Sequence, residues 1–226
     1  MEIINLTGSY SFIKQYQSFA LKLNNFKDIW LFNCSEACQH SLIRNKIKIN
    51  QVSKIIITEL HIDNISGLLG LLSSLNLISR KKSLHIYAPL GLDQYLELGK
   101  KYSCTNFCYS LYFHILTTGL IIEHSHYHLY TFSRYLQFEF IIISKERYGK
   151  FNSNKAKTFY LIEGPLYGHL KKGFNFLLPD GFILNGDNFT QDNYLGEKFL
   201  FILNKYHTRQ SFENSLKSKI LQCQII

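Results

Sequence analysis

Charge is scarce in this sequence. Only 18% of its 226 residues are Asp, Glu, Lys or Arg, and 15% are aromatic, which excludes a disordered chain. No apolar run is long enough to cross a bilayer, so no membrane partner is expected. The run at Ile55–Ile57 is short and bounded by charged residues, which suits a buried strand. The start, Met1-Glu2-Ile3-Ile4, lacks the basic and apolar regions of a signal peptide, and strand-like pattern begins at once, which argues against a transit peptide. Internal repeats and low-complexity tracts are absent. Val occurs once, at Val52, and Ala is sparse, whereas Ile, Asn, Lys, Phe and Tyr abound. The favoured residues have A/T-rich codons, so the expected home is a plastid or another compartment with an A/T-rich genome; otherwise it is the cytoplasm.

The net charge is +9 with His neutral, which favours an anionic partner such as RNA, DNA or an acidic surface. The five cysteines (Cys34, Cys38, Cys104, Cys108 and Cys223) are odd in number and lack a secretory signal, so a reducing compartment is expected. Two pairs share a spacing of three intervening residues, Cys34/Cys38 and Cys104/Cys108. They read as buried free thiols, with a four-cysteine zinc site as the chemical alternative.

Strand-length apolar segments occupy 2–6, 18–24 and 29–33. Helical spacing of Ala37, Leu42 and Ile43 marks 36–46. Lys54–Thr58 reads as a strand buried on both faces. Leu68, Leu71, Leu72 and Leu75 put a helix over Gly67–Ile78. A strand at Leu84–Tyr87 and a helix at Leu92–Leu98 continue an α/β alternation. Phe113 to Ile143 is mostly β. Residues 145–195 are rich in Gly and Lys and read as a loop-rich arm without a core. Phe199–Leu203 returns as a strand, and the tail from Ser211 is expected to be helical or frayed. Alternation of His124, His126 and His128 would place three imidazoles on one face of a strand. Exposed polar alternation is the ordinary reading, and a tris-His metal site the alternative.

Several segments resemble ribonuclease Z, a tRNA 3′-processing endonuclease family of the metallo-β-lactamase superfamily. Trp30-Leu31-Phe32-Asn33-Cys34-Ser35-Glu36 is similar to the family's Leu-Phe-Asp-Cys-Gly-Glu. Ile55-Ile56-Ile57-Thr58-Glu59-Leu60-His61-Ile62-Asp63-Asn64 lies where the family has Ile-Phe-Ile-Thr-His-Leu-His-Gly-Asp-His. Ile86-Tyr87-Ala88-Pro89-Leu90-Gly91-Leu92 resembles Ile-Tyr-Gly-Pro-Pro-Gly-Leu. Gly164-Pro165-Leu166-Tyr167-Gly168 and the following Leu170-Lys171 match the block of the family's tRNA-gripping arm. The matches are collinear from Met1 to about Arg209. The resemblance implies an α/β fold: one metallo-β-lactamase αβ/βα sandwich over 1–226, incomplete at its C-terminal end, with a protruding basic arm at 145–195.

The family's metal loop supplies ligands to two zinc ions that clamp a phosphodiester and activate water. Here His61 and Asp63 keep their positions, Asp63 also carrying the family's proton-accepting role. Glu59 replaces the first His and Asn64 the last. Ser133-Arg134 falls at a His-Arg pair, and His207 stands where a bridging Asp is expected. Asn33 replaces an Asp, and Ser35 and Ala37 replace glycines. The resemblance therefore implies a metal set of Glu59, His61, Asp63 and His207, with zinc the family's metal and its retention here in question. Lys150, Lys155, Lys157, Lys171 and Lys172 in the arm are the implied RNA contacts. Together these imply removal of the 3′ trailer from precursor tRNA by a homodimer, with the chain's own hydrolysis impaired or lost. The alternatives are a tRNA-binding subunit without catalysis, an enzyme using the altered metal set, and a relic.

Overall fold

The computed structural model describes residues 2–6, 18–23, 27–134, 137–146, 148–191, 196–201, 209–216 and 218–222. Two sheets form its body. The first has six strands in chain order: β1 (Glu2–Asn5), β2 (Phe19–Lys22), β3 (Ile29–Phe32), β4 (Val52–Ile56), β5 (Leu84–Ala88) and β6 (Leu111–Ile115). β1 to β3 pair antiparallel, and β3 to β6 pair parallel. Parallel neighbours need crossovers, and helices supply most of them. These are α1 (Cys38–Arg44) between β3 and β4, α2 (Ile62–Ile65) with α3 (Leu68–Leu77) between β4 and β5, and α4 (Leu92–Ser103) between β5 and β6.

The first core lies between this sheet and those helices. Leu31, Ile55 and Ile86 meet Leu42, Leu68, Leu71, Leu72, Leu75 and Leu96 there. The four leucines of α3 recur every three to four residues, so one stripe faces the sheet. Gly67 caps the start of α3, and a Cβ there would lie 2.1 Å from the Ser35 carbonyl oxygen. Only glycine lets the helix approach that close.

The second sheet holds β7 (Gly119–Glu123), β8 (Tyr127–Arg134), β9 (Gln137–Ser144), β12 (Lys198–Phe201) and β13 (Lys219–Gln222), in the order β13-β12-β9-β8-β7. Its inner face packs on the first sheet through an aromatic core. Phe19 stacks on Phe32 and Phe201, and Phe140 meets Phe32 edge-on at 5.6 Å. The outer face is apolar too, with Ile141 and Leu200 backed by Tyr130 and Phe132. The tail differs from expectation: α7 (Arg209–Ser215) leads into β13, which pairs parallel with β12. An unpaired edge on β12 thereby gains a partner, which pattern within a short tail does not reveal.

Residues between β9 and β12 are inserted between two adjacent antiparallel strands. The segment contains α5 (Ser153–Thr158), α6 (Pro165–Lys171) and the hairpin of β10 (Phe176–Leu177) with β11 (Ile183–Leu184). Its ends are tied by the Phe151–Thr190 bridge and by Asn152 N–H donating to Phe189 O at 2.8 Å. The arm is not the coreless loop its glycines suggest. Ala156, Leu170, Leu184 and Phe189 are buried together, flanked by Phe151, Leu166, Tyr167 and Phe176. Gly186 makes this closure possible, because a Cβ there would meet the Leu170 and Phe174 carbonyl oxygens at 2.7 Å. Among the described residues, no helix is long and apolar enough to cross a membrane.

Candidate metal loop and arm

The segment that would carry metal ligands leaves the C-terminal end of β4. It is held by backbone bonds, by side-chain amides and by the Glu59 carboxylate. Asn33, buried directly after β3, has φ near +55°, a region Asn tolerates better than most residues. Its Oδ1 accepts from Thr58 N–H at 2.9 Å and lies 3.1 Å from Thr58 Oγ1, which donates to it. Either Asp or Asn can accept these bonds, so the replacement keeps this function. Cys34 N–H donates to Asn64 O at 2.7 Å, and Gly67 N–H donates to Cys34 O at 2.9 Å. The loop is thus pinned at both ends to Asn33 and Cys34, the two residues that follow β3.

Glu59 lies inside that frame. Its Oε1 accepts from Asn64 Nδ2 at 3.1 Å, and its Oε2 accepts from Gln137 Nε2 at the start of β9. Asn64 is buried. His61 is largely exposed and caps α2, its Nδ1 accepting from Asp63 N–H at 3.3 Å. The Asp63 carboxylate lies 3.6 Å from the same nitrogen. The irregular segment after β4 therefore ends at His61, which supplies the N-terminal cap of α2 from Ile62.

Of the implied ligands, Glu59, His61 and Asp63 are described, and they do not gather into a metal-binding group. Among the described residues, no three His, Cys, Asp or Glu side chains gather closely enough to hold a metal ion. His207 lies outside the described residues. Ser133 is on β8, its N–H donating to Thr118 Oγ1 at 3.1 Å. The donor set also fits zinc poorly. Asn64 offers a neutral amide, and both Glu59 oxygens face N–H donors, which present positive charge where a cation would sit.

Neither alternative metal cluster forms. His124 and His126 occupy the turn between β7 and β8, and only His128 is on a strand, so the three do not share one strand face. His124 packs edge-on to Trp30 instead, at 6.2 Å. Cys34 and Cys38 are buried beside one another, whereas Cys104 and Cys108 are exposed, which corrects the expectation of burial for the second pair. Burial pushes the Cys34 thiol well up, and its hydrogen bond to Cys38 brings that thiol down.

The arm lysines divide into two groups. Lys155 Nζ donates to Asn188 O at 2.7 Å, and Lys157 Nζ pairs with Glu163 at 2.9 Å, which raises the Lys157 pKa. These two brace the arm. Lys150, Lys171 and Lys172 are exposed, and among the described residues their ammonium groups have no hydrogen-bond or ion-pair partner. Gln137, which completes the bonding of Glu59, had no local sequence signal. Its contact spans 78 positions and becomes visible only once the sheets are assembled.

The chain is 40% identical over 184 residues to the ycf56 protein of Pyropia yezoensis, covering 80% of this chain and 70% of that one. It is 33% identical over 211 residues to the ribonuclease Z of Acaryochloris marina, covering 92% and 67%. With the ribonuclease Z of Trichodesmium erythraeum it shares 37% identity over 191 residues, 83% of this chain but 60% of that protein's length. No family model matches. The crystal structure of human tRNase Z, short form, superposes with a TM-score of 0.54 at 23% identity, covering 64% of each chain, which shows the shared metallo-β-lactamase sandwich. On these sequence relationships and that fold, the chain belongs to the ribonuclease Z family.

Proposed function

We propose that the protein acts in tRNA 3′-end maturation by binding precursor tRNA through the arm at 145–195, with its own phosphodiester hydrolysis impaired. The carrying observation is the contrast between two parts of the chain. The arm has its own core, closed ends and three exposed lysines, Lys150, Lys171 and Lys172, whose ammonium groups have no partner among the described residues. The loop that would bind metal has its one substituted carboxylate tied to two amides. Exposed lysines meet RNA through its phosphates, a mode that reads shape more than sequence. The partners are precursor tRNA and a second copy of the chain, and the setting is a plastid. Family membership supports zinc as the metal of the wider family, and Asp63 stands at the position of the family's proton acceptor.

The test is a gel-shift titration with folded precursor tRNA at several salt concentrations, run beside a cleavage assay with added Zn²⁺ or Mn²⁺. Expected are salt-sensitive binding and little or no trailer removal. Changing Lys150, Lys171 and Lys172 to Ala together should weaken binding and reduce the log–log salt slope by about 3, roughly one per phosphate contact. Binding as tight as the parent's would remove the arm lysines from the interface. Efficient cleavage by the pure protein would overturn the impairment.

A further inference from the structure

The two altered positions of the metal loop, Glu59 and Asn64, are not independent losses, because they bond to each other. A third residue joins them. Gln137 opens β9 in the opposite sheet, and its amide donates to the second Glu59 oxygen. The neighbouring residues are also joined, with Phe138 N–H donating to Thr58 O at 3.2 Å. Glu59 thus links the loop after β4, the short helix α2 and the first residue of β9. Hydrogen bonds to an ionised carboxylate are stronger than neutral ones, and two amide donors use both oxygens. A cation at Glu59 would have to turn these donors away. That would leave the buried Asn64 amide without its acceptor, a cost comparable to losing a buried hydrogen bond outright.

We propose that Glu59, Asn64 and Gln137 form a carboxylate–amide clasp that cross-links the loop to the second sheet in place of a metal ion, so that this region holds its structure without divalent metal. The proposal rests on reading Glu59–Asn64 as the family's metal loop, and it assigns Gln137 a positioning role that no sequence motif carries. Asn64 and Glu59 then form a matched pair: the neutral amide that is a poor zinc ligand is the right donor for a carboxylate.

The experiment is thermal unfolding of the full chain and of Gln137→Met and Glu59→Gln, each in EDTA and in added Zn²⁺. The parent should melt at the same temperature in both conditions. Each variant should melt lower by about 3–8 °C, equally in EDTA and zinc, because one or both charge-assisted bonds are lost. The double variant should fall little further than the lower single, since both changes break one network. A parent melting temperature that rises by several degrees with stoichiometric zinc would overturn the clasp, as would variants that melt like the parent. If the variants fail to fold, hydrogen exchange of residues 58–65 in the parent decides the matter. Equal protection in EDTA and zinc supports the clasp, and zinc-dependent protection refutes it. tRNA binding by Gln137→Met, measured in parallel, should match the parent, so loss of the clasp and loss of the arm reading give separate results.

Discussion

Replacing Leu170 by Ala should unfold the arm and leave the body folded. Leu170 is fully buried in a cluster with Ala156, Leu184 and Phe189. Burying a large apolar side chain contributes about 1.5–3 kcal/mol, so the three large members supply roughly 5–9 kcal/mol before the entropy of ordering the segment is subtracted. A buried Leu→Ala change costs about 2–5 kcal/mol, which is a large share of that total. The two main cores contain none of these residues, so their stability is not drawn down. Hydrogen exchange read by mass spectrometry separates the two regions. Peptides within 150–191 should lose protection, while those covering β4 and β5 keep theirs, because local opening needs only the local free energy. Affinity for tRNA should fall in proportion to the fraction of arms still folded. Parent-like protection across the arm would show that its small cluster does not hold it together. A deprotected arm with unchanged tRNA affinity would separate the arm from RNA binding.

Two further outcomes follow from the local geometry. Ala37 is held at φ near +56° before α1, a left-handed conformation that costs an L-residue about 1–2 kcal/mol. After allowing for the greater freedom of glycine in the unfolded chain, Ala37→Gly should stabilise by about 0.5–1 kcal/mol and raise the melting temperature by roughly 1–4 °C in a differential scan; a lower melting temperature would contradict this. His85 and His124 are both held below the ordinary imidazole value of 6.5, mainly by burial, with His114 and Lys54 adding to the effect at His85 and Lys54 and His126 at His124, where Asp28 opposes it. The unfolded chain therefore takes up these protons first as pH falls. The stability they contribute is complete above the unfolded value and is lost as pH drops toward the folded ones. Melting temperature should decline on acidification through that window, and His85→Phe should make the decline shallower; an unchanged slope would count against the assignment.

Much of the body could be read from residue spacing alone. Ile55 and Ile56 form part of an uninterrupted apolar run because β4 has a strand on each side and a layer on each face. The leucine spacing of α3 reports a single sheet-facing stripe for the same reason: periodicity records local burial. The arm shows where such reading stops. Its Gly and Lys content describes a surface, and its core exists only because Leu184 and Phe189 return to meet Ala156 and Leu170. The histidines at 124, 126 and 128 fail as a strand face because a turn falls among them, and Cys104 and Cys108 are exposed at and beyond the end of α4.

The sequence by itself determined the family and the two substitutions in the metal loop, since Glu59 and Asn64 stand where the family has His. Only the tertiary structure decided what these two side chains touch. Asn64 reaches Glu59 because α2 begins within the loop, and Gln137 reaches it because the hairpin of β8 and β9 is packed over the end of β4. A partner as distant in the chain as Gln137, 78 positions from Glu59, is set by strand order and sheet packing, which no local pattern of residues encodes.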